Sequence, residues 1–247
     1  MLVLGIDTAT PVTSVAIGSE AGILAAARIR QERGHARLLT PTVGWLLEQA
    51  GVDATAVKGV AVGTGPGLFS GLRVGIATAK ALAQAWRVPM VAVPSLDLLA
   101  FAQRHTHHPV CAAIDGRRGE VFAALYRQAP GGMIRLTQPQ VIGPDELAAA
   151  IQARGEHVVL VGDGALAYRT HFERIGQVDL ASPAHATPSA EALVELACPR
   201  FEREEYVSPF EVTPLYLRRP DIDPAVEQRA AGGPVSGWGG IETAGVS

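Results

Sequence analysis

Short runs of apolar residues open the chain, and turns of only a few residues separate them. The runs at residues 2–6, 13–17 and 23–29 each have the length and the share of Val, Ile and Leu that is typical of a buried strand. Because the connections are short, the pattern predicts three antiparallel strands in a meander. The first strand ends at an acidic residue, Asp7.

An amphipathic pattern over residues 34–50 predicts a helix with two apolar sides. The main stripe has the 3.6-residue period of a helix that packs on a sheet. It consists of Leu39, Val43, Leu46, Leu47 and Ala50. The second side carries Leu38, Thr42 and Trp45, and the same sheet cannot also cover it. Two interpretations are open: this side packs on a neighbouring helix of the same chain, or it contacts another subunit.

A strand, a glycine-rich turn and a long helix follow between residues 58 and 86. The helix carries few charges, so it must be covered on several sides. Small residues at four-residue spacing form a ridge along it, next to the apolar Leu72. The ridge comprises Gly71, Gly75, Ala79 and Ala83. The cover is either the helix's own domain or, in part, a second subunit that approaches the ridge.

The same turn and helix start form a geometry that can hold an anion, since backbone N–H groups point out of a helix N-terminus. The known phosphate-binding motifs are nevertheless absent. Lys58 and Lys80 lie outside the turn, so there is no G-x-x-x-x-G-K-[ST] motif. A G-x-G-x-x-G motif that begins at Gly63 fails because residue 68 is Leu.

A polar loop at residues 104–109 separates the opening pattern from a second series that repeats it. Strands are predicted at 110–115, 120–127 and 133–138, then a helix at 144–154 and a strand at 158–161. The first of these strands again ends in an acid, Asp115, and Gly162 and Gly164 follow the last. We therefore predict an α/β fold of two related lobes, residues 1–104 and 105–220, each a mixed sheet with helices.

The remaining segments complete the predicted organisation. Ser95 is suited to cap a helix at residues 96–103. The amphipathic helix at 188–204 is expected to pack back on the first lobe. Residues 212–217 form a last short strand or extended segment. Residues 221–247 are rich in Gly, Pro and Ala, and we expect a disordered tail there.

Composition excludes several classes of protein. The net charge of −3 gives no sign of nucleic-acid or membrane binding by bulk electrostatics. The two cysteines are far apart and have no metal-ligand spacing, which argues against a disulfide scaffold or a zinc site. No apolar run approaches the roughly 20 residues that span a bilayer, and the start lacks a basic leader. A soluble cytoplasmic protein is the expectation.

Several segments resemble the TsaB (YeaZ) family of bacterial tRNA-modification subunits. In chain order they are G-I-D-T-A-T, G-T-G-P-G-L-F-S-G-L-R-V-G, D-G-R-R-G-E-V-F-A-A-L-Y, G-D-G-A-L-A-Y and P-L-Y-L-R. The resemblance covers residues 1–220, and the glycine-rich stretch is its most specific part. The chain departs from the family at residues 68–70, where Ser-Phe-Thr is common, and at Gly116, where Ala is usual.

The resemblance implies an actin/Hsp70-like (ASKHA) fold and a place in a protein complex. The family pairs with the catalytic subunit TsaD, which the ATPase TsaE joins transiently, to form threonylcarbamoyladenosine next to the tRNA anticodon. The subunits associate through N-lobe helices, which correspond here to residues 34–50 and 71–86. The expected partner-interface residues are Leu38, Thr42, Trp45, Gly71, Leu72, Gly75 and Ala79. Alone, the chain is expected to form a homodimer through the same helices.

The resemblance also implies that the chemistry belongs to the partner. TsaD holds its metal with an H-x-x-x-H pair, and the seven histidines here contain no such pair. In the first acid-containing hairpin, Ala9 and Pro11 replace the glycines that let backbone approach phosphate in ATPases of the superfamily. We therefore expect a degenerate nucleotide site, no catalytic residue, cofactor or metal in this chain, and tRNA bound through the complex. The remnants of the site are Asp7, Asp115, Gly162 and Gly164. The rival hypothesis is an ATPase or small-molecule kinase that uses the two acids.

Overall fold

The computed structural model describes residues 1–31 and 34–218, which form two lobes, each built on one sheet. The strands of the first sheet are β1 (Leu2–Asp7), β2 (Val12–Ser19), β3 (Gly22–Arg30), β4 (Val57–Gly63) and β5 (Met90–Val93). Their order is β3-β2-β1-β4-β5. The first three strands pair antiparallel, and β4 and β5 continue the sheet in parallel with β1. The predicted meander is confirmed.

The second sheet repeats this layout. Its strands are β6 (Val110–Arg117), β7 (Glu120–Ala129), β8 (Gly132–Arg135), β9 (Gln140–Ile142), β10 (Val158–Val161) and β11 (Val178–Leu180). The order β8-β7-β6-β10-β11 matches the first sheet strand for strand, and β9 is an addition that pairs with β7. This duplication of a mixed sheet in two lobes confirms the predicted actin/Hsp70-like fold.

Seven α-helices cover the sheets in the part of the chain that the structure describes. They are α1 (His35–Gln49), α2 (Phe69–Trp86), α3 (Ser95–Phe101), α4 (Pro144–Ala153), α5 (Asp163–Ala167), α6 (Arg169–Phe172) and α7 (Ala190–Glu202). Short 3-10 helices lie at Ala54–Ala56 and Pro183–His185. The elements α5, α6 and β11 are too short to give a periodic pattern, and the sequence did not predict them.

The first sheet is covered on both faces, because its central strands are apolar on both. Leu4 and Ile6 lie in the core beneath α1 and α2, whereas Val3 lies in the core beneath α7. Helix α7 contacts β1, β2 and β4, so this late helix does return to the first sheet. Burial of apolar side chains on both sides accounts for the absence of alternation in β1 and β4.

Helix α3 connects the lobes rather than belonging to the first sheet alone. Its side chains Leu96, Leu99 and Ala100 share a core with Val110 and other residues of the second sheet. The segment at 212–217 forms no strand. It runs as an extended chain, and the Leu215 N–H donates to the Thr64 carbonyl at 2.8 Å.

Composition also led to expectations about membrane-spanning helices and about the last residues of the chain. Among the described residues, none of the helices has the length and apolar character needed to cross a bilayer. The tail expected at residues 221–247 lies outside the described residues.

Candidate functional site

The acid of the first hairpin, Asp7, is sealed inside its lobe. Its Oδ1 accepts the Ala9 N–H at 2.9 Å, and its Oδ2 accepts the Ser95 hydroxyl at 2.6 Å. Burial raises the pKa of the carboxyl, although the Ser95 and Ala9 hydrogen bonds act in the opposite direction. A Cβ on Gly63 would lie 1.8 Å from Oδ2. Each carboxyl oxygen already accepts a hydrogen bond from the protein, and Asp7 is only 1% exposed, so the group does not present an oxygen to solvent.

Ser95 has a different role from the one the sequence indicated. The expected side-chain cap of α3 is wrong, since its N-cap residue is Pro94 and no side-chain cap bond forms. The Ser95 hydroxyl instead donates to Asp7 and accepts the Gly65 N–H at 3.0 Å. It therefore ties the glycine-rich turn to the end of β1.

The acid of the second hairpin, Asp115, lies at the edge of a cleft between the lobes. Its Oδ1 accepts the Arg117 N–H at 2.8 Å, and its Oδ2 lies 3.2 Å from the Arg117 guanidinium. The Asp115 N–H donates to Asp163 Oδ1 at 3.0 Å. Burial raises the pKa of Asp163 to about 6, and the nearby Asp115 charge adds to the shift. The sequence singled out Gly162 and Gly164 but not Asp163, which lies between them.

The glycines beside Asp163 serve internal packing. A Cβ on Gly162 would lie 1.9 Å from the Ala113 carbonyl oxygen, and Gly162 has a φ of 127°. A Cβ on Gly164 would lie 2.8 Å from the Ile114 carbonyl carbon. Both glycines let α5 approach the backbone of β6 closely.

The cleft between the lobes is a cavity of about 830 Å³. Its lining combines the ends of β2 and β3 with the second hairpin, α5 and the segment before α7. The charged lining residues are Arg28, Arg30, Asp115, Arg117 and Asp163. Asp7 is not among the lining residues, so the two acids that the sequence paired do not face one space.

The small ridge of α2 is buried within the chain. A Cβ on Gly71 would lie 2.2 Å from the Thr8 carbonyl oxygen, and one on Gly75 would lie 2.1 Å from Thr8 Oγ1. The Thr8 hydroxyl donates to the Gly71 carbonyl at 2.7 Å. Leu72 and Ala79 have no exposed surface. A partner therefore cannot contact these four residues unless the lobe opens, and their packing on the first hairpin is the reason for the ridge.

The outer surface of α1 and α2 carries apolar residues of a different set. The Trp45 side chain is 53% exposed and Leu38 is half-buried, whereas Thr42 is buried. The exposed small residues of α2 include Ala77 and Ala81, which lie away from the ridge on the solvent side. The sequence did not single out these alanines, because small residues recur on both sides of α2. Contact with Thr8 marks Gly71 and Gly75 as the buried side, and that contact is visible only in the structure.

The last described segment, residues 212–218, bridges the two lobes. The Tyr216 ring lies 5.0 Å from that of Phe69 in α2, and the Arg73 Nε–H donates to the Tyr216 hydroxyl at 3.2 Å. Two residues further on, the Arg218 guanidinium donates to Glu120 at 2.7 Å and to the Gly116 carbonyl at 3.0 Å. These contacts give the late P-L-Y-L-R segment a structural role in holding the lobes together.

The histidines do not assemble a metal centre in the described residues, where no group of three metal-ligating side chains occurs. Of the three histidines in the 104–109 loop, His108 packs against His157 with ring centroids 4.8 Å apart and the ring planes tilted by 47°. His157 Nε2 lies 2.8 Å from an Asp179 carboxyl oxygen.

Comparison with known proteins identifies relatives along most of the chain. A family model described as TsaD, tRNA N6-adenosine threonylcarbamoyltransferase, matches residues 22–225. The tRNA threonylcarbamoyladenosine biosynthesis protein TsaB of Escherichia coli is 32% identical over 88% of this chain and 95% of its own length. The protein of that name from Haemophilus influenzae is 29% identical over 88% of this chain and 94% of its own length.

A solved structure agrees with these sequence relatives. YeaZ from Pseudomonas aeruginosa superposes with a TM-score of 0.75 at 32% identity, covering 87% of this chain and 99% of its own. The similarity therefore extends through both lobes and is not confined to one motif.

Proposed function

Because the chain belongs to the TsaB (YeaZ) family, we propose that it is the non-catalytic partner subunit of a tRNA N6-adenosine threonylcarbamoyltransferase complex. Its relatives are named for threonylcarbamoyladenosine biosynthesis in tRNA. In this proposal a TsaD-like protein carries out the transfer, a TsaE-like ATPase joins the pair, and tRNA is bound by the assembled complex.

The state of Asp7 is the observation that carries the non-catalytic part of the proposal. An acid that coordinates a metal–nucleotide must present a free oxygen to the cleft. Here the Ala9 N–H and the Ser95 hydroxyl each bind one oxygen, Gly63 packs against the carboxyl, and Asp7 is only 1% exposed. The second-lobe acid is held in an ion pair with Arg117. The scaffold of an ATPase is retained, and the acid on which its metal chemistry depends is used for structure.

The outer face of α1 and α2 supports the pairing. A tryptophan that is half exposed on a rigid helix is the kind of residue that dominates binding energy at protein interfaces. The exposed alanines Ala77 and Ala81 let a second helix approach α2 closely. We place the partner interface on Leu38, Trp45, Ala77 and Ala81, and the homodimer of the isolated chain on the same face.

Reconstitution with the TsaD-like protein of the same organism tests the proposal. The two proteins are co-expressed, purified through a tag on one of them, and assayed for threonylcarbamoyl transfer to tRNA with the TsaE-like ATPase present. We expect co-purification and transfer only when both subunits are present. A chain that neither co-purifies nor supports transfer would remove the proposed function.

The size of the cleft favours one alternative function, an ATPase or small-molecule kinase, because about 830 Å³ is enough space for a nucleotide. An ATPase or kinase would bind Mg–ATP there with micromolar affinity and lose it in an Asp115→Ala variant. Calorimetric titration of the isolated chain with ATP, with magnesium and in EDTA, distinguishes the two functions, since the partner-subunit proposal expects no binding that depends on magnesium.

A further inference from the structure

The inner surface of the cleft is unusually rich in arginine. Arg28 and Arg30 come from the end of β3 in the first lobe, and Arg117 comes from the hairpin of the second. The cavity of about 830 Å³ lies between them. We propose that this cleft binds phosphate groups directly, without a metal ion, through Arg28 and Arg30, with Arg117 on the opposite wall.

The two arginines of β3 carry charge that no carboxylate neutralises by direct contact. The Arg28 guanidinium donates through Nη1 to the Ala184 carbonyl at 3.2 Å, and through Nη2 to the Thr187 carbonyl at 3.0 Å and the Thr187 hydroxyl, and these acceptors are neutral. The Arg30 side chain has no hydrogen bond or ion pair within the described residues, although its backbone pairs with Val12 in the sheet. Arg28 is therefore held in place with its charge available, and Arg30 is free to reach a ligand.

The acids of the cleft weaken this positive charge only in part. Asp115 is paired with Arg117, so the two largely cancel. Asp163 accepts the Asp115 N–H, and burial raises its pKa to about 6, so it is still mostly ionised at pH 7 and offsets a further positive charge. Three arginines against two carboxylates leave a surplus of one positive charge on the lining, and the Arg30 side chain, which has no partner within the described residues, carries it.

The chemistry of the surplus favours phosphate over a metal–nucleotide. A guanidinium presents parallel N–H donors that match two oxygens of a phosphate group, and such charge-assisted bonds are about twice as strong as neutral ones. A magnesium ion needs carboxylate oxygens that it can reach, and Asp7 offers none to the cleft because it is only 1% exposed and is not among the lining residues. The phosphate can come from a small molecule such as pyrophosphate or from the backbone of RNA. Both present the same group to the arginines.

Calorimetric titration of the full chain in EDTA tests the site, with sodium pyrophosphate in one arm and unmodified tRNA in the other. The test variant is Arg30→Gln. The matched control is Arg174→Gln, which removes a single charge from an exposed arginine outside the cleft. Because Arg30 lies exposed at the end of an edge strand, its replacement leaves the fold intact. We expect saturable binding in EDTA that Arg30→Gln weakens about tenfold and Arg174→Gln leaves unchanged.

Each arm has a definite meaning. Binding of pyrophosphate with this pattern assigns the site to a small phosphate ligand, and the pattern with tRNA alone assigns it to RNA backbone. Absence of binding in both arms, equal weakening by both variants, or binding that requires magnesium would overturn the proposal. None of these results depends on the partner subunit, so the site and the proposed pairing can fail separately.

Discussion

The two hairpins that open the two lobes share one topology, but the acid of the first is buried and the acid of the second borders the cleft. In each, an acid ends the first strand of an antiparallel meander. In the first lobe Asp7 is 1% exposed and bonded to Ala9 and Ser95, whereas in the second Asp115 borders the cleft and pairs with the exposed Arg117. Duplication produced equivalent positions, and their surroundings decided which acid became part of the core.

The difference teaches that position in a fold does not assign chemistry to a residue. The carboxylate at the end of β1 is buried and hydrogen-bonded within its own lobe, so its position alone does not give it a metal to bind. One of its two donors, Ser95, lies 88 positions further along the chain. In the second lobe the described partners of the Asp115 carboxyl are the N–H and the guanidinium of Arg117.

The largest expected effect comes from crowding the first hairpin. In Gly63→Ala the new methyl group would lie 1.8 Å from Asp7 Oδ2, so the strand or the carboxylate must move. We expect a loss of about 3 kcal/mol in the free energy of unfolding, which lowers the melting temperature by about 6–12 °C. Scanning calorimetry measures the shift.

The matched control for this variant is Gly44→Ala. Gly44 lies on the exposed side of α1, where a Cβ meets no atom within 4 Å. Alanine there improves helix propensity, and we expect unchanged or slightly higher stability. Equal melting temperatures for Gly63→Ala and the unmodified protein would show that Asp7 is not sealed.

The next effect separates the two acids directly. Asp7→Ala leaves the buried Ser95 hydroxyl and Ala9 N–H without their acceptor, and we expect a loss of about 2 kcal/mol. Asp115→Ala removes an ion pair whose arginine is 56% exposed, and we expect a loss below about 1 kcal/mol. Urea unfolding of both variants gives the two values. If Asp115→Ala cost more than Asp7→Ala, the contrast between the hairpins would be wrong.

Asp163 makes the free energy of unfolding depend on pH. Its folded pKa of about 6 lies above the unfolded value, so it favours folding fully at low pH and loses this contribution as pH rises through about 6. The carboxylate faces Asp115 and Arg117. Asp163→Asn keeps the acceptor for the Asp115 N–H and removes the titration.

We therefore expect Asp163→Asn to match the unmodified protein near pH 4 and to exceed its stability by about 3 kcal/mol at pH 8. Chemical unfolding across this range measures the difference. A stability difference that does not change with pH would show that Asp163 titrates normally.

Much of the fold could be predicted from the sequence, because periodic segments and glycine turns mark it locally. The three-strand meander, its repetition in the second half and the helices α1, α2 and α7 follow from patterns within about 20 residues of chain. The elements α5, α6 and β11 are shorter than one clear period, and only their tertiary contacts define them.

The candidate sites could be predicted far less well, because distant residues decide them. Spacing alone cannot distinguish the inner small residues of α2, such as Gly75, from the outer ones, such as Ala77. Contact with Thr8 makes that distinction, and Thr8 lies 63 positions before Gly71. The arginine surplus of the cleft likewise arises when β3 of one lobe faces Arg117 of the other.

The measurement that tests the central claim most directly is the affinity of this chain for the TsaD-like subunit. Two variants are compared with the unmodified chain: one changes an exposed apolar residue of α1, and the other changes an exposed apolar residue of β3. Trp45→Glu alters the proposed interface, and Leu24→Glu is its match on β3, since the two side chains are 53% and 56% exposed. We expect Trp45→Glu to weaken pairing at least about 30-fold, as loss of an interface tryptophan costs 2 kcal/mol or more. Leu24→Glu should leave the affinity unchanged. Equal affinities for Trp45→Glu and the unmodified chain, with both folded by circular dichroism, would contradict pairing through the outer face of α1 and α2.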